Sequence, residues 1–154
     1  MLIRKASKDD LETVLRFAGE MARMHHGLDK YYKVPEDYKS LPEDLEQELA
    51  DPNTLTLIAE DSGSPIGYIR VSAEDAPQYV APKKIGMVYD LFVDEAHRRE
   101  GVGEKLFNEA LEWLRAKNIK HIELSVDARN ADAMAVWKKF GFFEYKVRMR
   151  KDLE

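Results

Sequence analysis

The chain has 154 residues, 44% hydrophobic and 34% charged, with a net charge of −5, which suits one folded domain, residues 1–154, and not a disordered segment. The acidic balance argues against a nucleic-acid partner, which needs a basic face, and zero cysteine excludes disulfides, thiolate metal sites and a cysteine nucleophile. No apolar run nears the roughly 20 residues that span a bilayer and no signal-peptide profile opens the chain, so no membrane partner is expected and the expected location is cytoplasmic.

Residues 2–6 read as a short strand. Ser7-Lys8-Asp9-Asp10 has the form of a capping box, and apolar residues recur at Leu11, Val14, Leu15, Ala18, Met21 and Ala22, which predicts a helix capped near Gly27. Residues 28–38 carry Tyr31, Tyr32, Tyr38 and a proline and read as a loop. Leu41, Leu45 and Leu49, four apart, predict a short second helix. Residues 54–60 and 66–72 are strands by their alternation, joined by a hairpin turn at Asp61-Ser62-Gly63-Ser64-Pro65. Residues 74–84, with Pro77 and Pro82, read as a loop of about ten residues, a length often tied to function.

An apolar strand over 87–93 then leads through Arg98-Arg99-Glu100-Gly101-Val102-Gly103 into an amphipathic helix ending near Lys117, with Val102, Leu106, Ala110 and Leu114 on one face. A further strand over 119–126 makes a strand–helix–strand unit, hence a locally parallel pair with a right-handed crossover. A helix capped by Asn130 carries Ala133, Val136, Trp137 and Phe140, and residues 142–150 read as a last strand.

The turn at 98–103 is a candidate anion site. A helix N-terminus leaves backbone N–H groups unpaired at the positive end of the helix dipole, and two arginines add charge that suits a pyrophosphate. Neither rival phosphate motif is present: no G-x-x-x-x-G-K-[ST] occurs, and Phe107 follows Leu106 where a third glycine of G-x-G-x-x-G would fall.

Arg98, Gly101 and Gly103 match the form [R/Q]-x-x-G-x-[G/A]. Asn130, Ala133, Val136, Trp137, Gly141 and Phe142 match N-x-x-A-x-x-φ-Y-x-x-x-G-F, about thirty residues on, except that tryptophan stands in place of tyrosine. With the opening residues 3–11, these motifs make the whole chain resemble the GNAT superfamily of N-acetyltransferases. The resemblance implies an α/β fold: a mixed, mostly antiparallel sheet with one splayed parallel pair, flanked by about four helices. It implies acetyl-CoA as co-substrate with no metal, a primary amine as acceptor, and allows a homodimer.

It also implies roles. Arg98, Arg99, Glu100, Gly101, Val102 and Gly103 would hold the pyrophosphate, with Gly101 and Gly103 admitting phosphate where a Cβ would obstruct it. Phe92 and Val93 would pair their backbone with the pantetheine arm and offer an N–H to the thioester oxygen. Asn130 is either an N-cap or a pantetheine contact; Ala133 and Trp137 belong to the same motif. Trp137 occupies the slot where the family often has a tyrosine acid, and indole N–H cannot supply a proton near neutral pH. Core packing alone, in a stripe with Ala133, Val136 and Phe140, also explains it.

Asp90, a carboxylate amid Val88, Leu91 and Phe92, is the candidate base, ordering a water or holding a cationic amine. Adjacent Tyr89 points to the opposite face unless a bulge intervenes, and reads as packing. His25, Tyr31 and Tyr32 are candidates for lining the acceptor site. A small cationic amine fits Asp90 and the acidic surface. A protein N-terminus or lysine, or a non-catalytic acyl-CoA-binding module marked by Trp137, are the alternatives.

Overall fold

The computed structural model describes residues 1–37 and 42–154; Tyr38 and Leu41, assigned above to the loop and to the second helix, lie outside them. Five strands form one sheet: β1 (Leu2–Lys5), β2 (Thr54–Asp61), β3 (Ser64–Asp75), β4 (Lys84–Val93) and β5 (Ile122–Leu124). They lie side by side in that order, antiparallel from β1 to β4, with β5 parallel to β4. The helices are α1 (Leu11–Leu28), α2 (Pro42–Ala50), α3 (Val102–Ala116) and α4 (Ala131–Lys139). The expected fold class, with its parallel β4–β5 pair, is the one observed.

The sheet is buried on both faces because the side chains of β2 and β3 alternate between two apolar layers. Leu55, Leu57, Ala59, Ile69, Val71 and Val88 face Val102, Leu106, Phe107 and Ala110 of α3. Ile58, Tyr68 and Phe92 face the other way, against Val14 and Phe17 of α1 and Leu45 of α2. Phe17 stacks on Tyr68 at 5.5 Å and tilts against Phe92 at 5.3 Å, so α1 is seated on the end of β4.

The start of α1 is fixed by charge as well as packing. Ser7 N–H donates to Asp10 Oδ2 at 2.8 Å and Ser7 Oγ accepts from Asp9 N–H at 3.3 Å, the capping box the sequence predicts. Arg4 of β1 adds a two-pronged pair to Asp10, both bonds at 2.8 Å, and reaches Glu60 of β2 at 2.7 Å. The Arg4 guanidinium holds the Asp10 carboxyl at about 2, below its ordinary 3.8. A carboxylate whose folded value is depressed stabilises the fold at pH values above its unfolded value, and that stability fades as pH falls toward the folded one. Asp10→Asn should therefore cost about 2 kcal/mol at neutral pH. Chemical denaturation at pH 7 and at pH 2.5 should show the deficit shrinking between pH 4 and pH 2.

Several boundaries differ from the sequence reading; the hairpin turn, for one, is only Ser62-Gly63, because Asp61 and Ser64 already pair. Gly27 is not a cap: α1 runs to Leu28, and extended Asp29 ends it by donating its N–H to His25 O at 2.9 Å. The loop at 74–84 shrinks to 76–83, because Glu74 pairs with Ile85 and Asp75 with Lys84; the two prolines bar a ladder only inside the loop. β5 is shorter than 119–126. Asn118, with φ 59°, terminates α3, and Ile119 N–H is spent on Leu114 O at 3.1 Å. The expected last strand over 142–150 is absent: after Phe142 N–H donates to Trp137 O at 3.0 Å, the chain has no backbone partner among the described residues.

Candidate active site

β4 and β5 pair at only three positions: Gly86 with Ile122, Met87 with Glu123, and Val88 with Leu124. Beyond them β5 ends, while β4 continues to Val93, held on its other edge by β3 as far as the Gly67–Val93 pair. From Tyr89 onward, β4 thus presents an open edge of backbone donors and acceptors on the β5 side. The wedge between the parting strands can take an extended amide-bearing chain as a further strand-like partner.

At the end of this edge the chain passes a short helical turn, Glu95–His97, and enters α3 through Gly101. Gly101 sits at φ 80°, in the left-handed region that favours glycine, and Arg99 also has positive φ, 66°. No side chain caps α3, and Lys105 N–H makes the bond to Gly101 O at 3.1 Å. The N–H groups of the first turn therefore face outward at the positive end of the dipole, a seat for phosphate.

Two details refine the motif. A Cβ at Gly103 would meet Leu91 and Val93 side chains at 3.8 Å, so this glycine faces the sheet and does not clear a path for phosphate. Arg98 is partly committed: its Nε donates to the Val93 carbonyl at 2.9 Å and its guanidinium lies 5.8 Å from the Phe92 ring. It ties the turn to the end of β4. Beside it, a cleft of about 360 Å³ opens toward α1, lined by Arg16, Glu20, Met24, Phe92, Asp94, Glu95 and Arg98.

A bulge lies at the start of the open edge. Arg70 pairs with Asp90 while Val71 pairs with Val88, leaving Tyr89 as the extra residue. The bulge brings Tyr89 and Asp90 to the same guanidinium: Arg70 Nε donates to Asp90 Oδ2 at 2.8 Å, and Arg70 Cζ lies 5.3 Å from the centre of the Tyr89 ring. Arg70 also donates to Glu48 of α2 at 2.6 Å. Tyr89 is 49% exposed, not packed, and its hydroxyl donates to Glu74, which also accepts from Ser72 Oγ at 2.6 Å. Burial, then the Glu74 contact, pushes the Tyr89 hydroxyl up from its ordinary value.

The sequence pattern of the acetyltransferase (GNAT) family matches residues 21–142, spanning both the open edge and the turn. The chain belongs to the GNAT family. An uncharacterized N-acetyltransferase of Archaeoglobus fulgidus is 34% identical over 131 residues, 84% of this chain and 84% of that protein. Another, of Methanocaldococcus jannaschii, is 26% identical over 150 residues and 94% of this chain, which spans 62% of that protein's length. The structure of a tetramutant of a Bacillus halodurans protein has a TM-score of 0.88 at 22% identity, covering 99% of this chain and 100% of that one. That of an aminoglycoside 6′-N-acetyltransferase from Acinetobacter haemolyticus has a TM-score of 0.73 at 20% identity, covering 100% of both chains. At these identities the two structures show the shared fold.

In the second GNAT motif the contacts within the chain are those of a helix cap and an aromatic cluster. Asn130 Oδ1 accepts from Ala133 N–H at 3.1 Å as the N-cap of α4. Trp137 stands edge-on to Phe107, Phe140 and Phe142 at 5.9, 5.8 and 5.4 Å, an aromatic cluster joining α4 to α3.

His25, Tyr31 and Tyr32 do come together, at the end of α1, but with partners the sequence did not suggest. The His25 and Tyr32 rings lie 5.6 Å apart, and Tyr32 and Tyr31 5.8 Å apart edge to face. Tyr32 OH donates to Asp127 Oδ2 at 3.2 Å, just past β5. Arg129 bridges Asp127 at 2.7 Å and Asp29 at 2.9 Å. Arg129 holds the Asp127 carboxyl well below the usual range, and the Tyr31 N–H followed by Arg129 holds Asp29 at about 2. The loop after α1 thereby reaches the segment after β5. Asp90 has a separate set of partners, in the Arg70 cluster.

Arg70, Ser72 and Glu74 were not singled out from sequence, although a signal existed: polar residues at alternate positions of an otherwise apolar strand. Among the described residues, no three His, Cys, Asp or Glu side chains group as metal ligands, and no helix is long and apolar enough to cross a membrane.

Proposed function

We propose that this chain transfers the acetyl group of acetyl-CoA to a primary amine of a small cationic molecule. The observation that carries the reading is the open edge of β4, which runs from a carboxylate-rich bulge to an uncapped helix N-terminus. Acetyl-CoA supplies an activated acyl group as a thioester. The first turn of α3 and Arg99 bind its pyrophosphate, and the β4 backbone around Phe92 and Val93 orients its amide arm. With no cysteine in the chain, the acyl group passes directly to the amine and not through a cysteine acyl-enzyme.

Specificity for a cation follows from the bulge. Two carboxylates, Glu48 and Asp90, pair with the single guanidinium of Arg70, and Glu74 lies beyond the Tyr89 ring that this guanidinium covers, so the cluster carries an excess of negative charge. An ammonium group drawn there meets Asp90 and Glu74, which accept the proton it must lose before attack. The Acinetobacter protein of the same fold is named an aminoglycoside antibiotic 6′-N-acetyltransferase, which is in keeping with an amine acceptor here.

Release of free CoA, followed with a thiol-reactive dye, tests this against polyamines, aminoglycosides, amino acids and short peptides. Turnover should favour multiply charged amines, and Glu74→Gln should raise KM for them about tenfold while leaving acetyl-CoA affinity unchanged. Turnover confined to peptides would move the acceptor to protein. Binding of acetyl-CoA without turnover on any amine would favour a non-catalytic acyl-CoA-binding module, the reading that Trp137, locked in its aromatic cluster without an acidic proton, keeps in play.

A further inference from the structure

Two arginines of the sheet hold carboxylates in different ways. Arg4 binds Asp10 with two prongs, one to each carboxylate oxygen, and that pair anchors α1. Arg70, by contrast, holds Asp90 by a single bond, from Nε to Oδ2 at 2.8 Å, and Glu48 by another, from Nη1 to Oε2 at 2.6 Å. The side chains of Asp90 and Arg70 are 18% and 27% exposed, so the pair is largely screened from water yet open on one side. Two prongs make a closed structural pair. One prong leaves Asp90 with room for a second donor.

Among the described residues, Arg70 is the one cation that pairs with the carboxylates of this cluster. Glu48 of α2 and Asp90 of β4 bind it, the Tyr89 ring of β4 lies against it, and Glu74 of β3 accepts from the Tyr89 hydroxyl. Tyr68, two residues before Arg70 on β3, is on the same face and stacks on Phe17 of α1. A guanidinium keeps its charge throughout the working pH range. An ammonium that takes the open position on Asp90 would share one carboxylate with this fixed positive charge. Their separation would be about 5 Å, close enough for a like charge to disfavour the protonated form.

We propose that Arg70 is a positioning residue for acetyl transfer: it aims the other oxygen of Asp90 at the acceptor and, as a fixed like charge, loosens the proton on the ammonium bound there. The inference rests on the acetyl-transfer reading above and assigns its deprotonation step. The ammonium gives one proton to a carboxylate oxygen of the cluster, and the freed nitrogen lone pair attacks the thioester carbonyl. The C–S bond breaks, CoA leaves as the thiolate, and a second proton from the nitrogen ends on sulfur as the free thiol. Without Arg70, the ammonium would face the carboxylates with no opposing charge. They would bind it more tightly and hold its proton more tightly too, so acceptor affinity would rise while turnover fell. An arginine that serves structure alone gives a different pairing, weaker acceptor binding together with slower turnover.

Steady-state kinetics of wild type, Arg70→Met and Glu48→Gln from about pH 6 to about pH 9.5 test this, because the pH dependence of kcat reports proton loss within the complex. The acceptor is the amine that wild type turns over fastest. Arg70→Met should lower kcat about tenfold on the acid side, with the deficit closing as pH rises, and should lower KM for the amine about threefold. Glu48→Gln removes a carboxylate and should act the other way: KM rises, and kcat reaches its plateau about one pH unit lower. Acetyl-CoA affinity, measured by calorimetry, should be the same in all three proteins. An Arg70→Met deficit that is equal at every pH, or that comes with a higher KM, would overturn the proposal. So would a Glu48→Gln profile identical to wild type, which decides alone should Arg70→Met fail to fold. Wild-type protein that binds acetyl-CoA and turns over no amine would overturn the acetyl-transfer reading itself, and this inference with it.

Discussion

Gly67→Ala is expected to weaken acetyl-CoA binding about tenfold or more and to destabilise the protein by about 2–3 kcal/mol, although Gly67 lies behind the site on β3. A Cβ at this position would stand 2.6 Å from the Phe92 carbonyl oxygen and 3.2 Å from Val93 Cα. Both contacts are with backbone, which cannot swing aside as a long side chain can. β4 must therefore shift or twist where its other edge is open, the edge proposed to hold the coenzyme. Because Arg98 is tied to the Val93 carbonyl, the shift passes on to the turn proposed to bind phosphate. Calorimetric titration with acetyl-CoA and urea unfolding should both register the change. Wild-type affinity in a destabilised variant would mean that the end of β4 does not position the coenzyme.

Phe17→Ala should cost about 4 kcal/mol, the largest stability loss expected of a single change here. Phe17 is fully buried and stacks between Tyr68 of β3 and Phe92 of β4, with the Arg16 guanidinium 4.4 Å from its ring. Truncation leaves a cavity under α1, and that much lost stability is a large part of what a domain of this size has. Since α1 also carries His25 at its far end, loosening it should disorder the Tyr32–Asp127 contact as well. Thermal unfolding gives the stability, and hydrogen exchange across residues 11–28 shows whether α1 is the part released. A loss below about 1 kcal/mol would show that the site collapses without a cavity.

The turn at Gly101 is legible in the sequence because its features are local. A glycine between a strand and a helix marks a left-handed residue, and the structure has φ 80° there. The apolar stripes of α1 and α3 are legible for the same reason, each periodicity being written into adjacent residues. Pairing partners are not local. The bulge at Tyr89 depends on how β3 meets β4, so the sequence alone leaves open whether Tyr89 and Asp90 share a face. Similarly, the alternation from Phe143 to Arg150 states that one face is apolar, but not that this face stays exposed. Arg129, Asp127 and Asp29 were invisible because their meeting joins residues 100 positions apart.

A titration of acetyl-CoA into the wild-type protein and Gly101→Val, side by side in a calorimeter, bears on the coenzyme site itself. Valine at φ 80° is strained and branches at Cβ, so it must pull the first N–H groups of α3 out of line. Wild type should bind with one-to-one stoichiometry, and the variant at least about tenfold more weakly, with its fold intact by circular dichroism. Equal affinities would place the coenzyme away from this turn, and with it the acetyl group away from the carboxylates at the bulge.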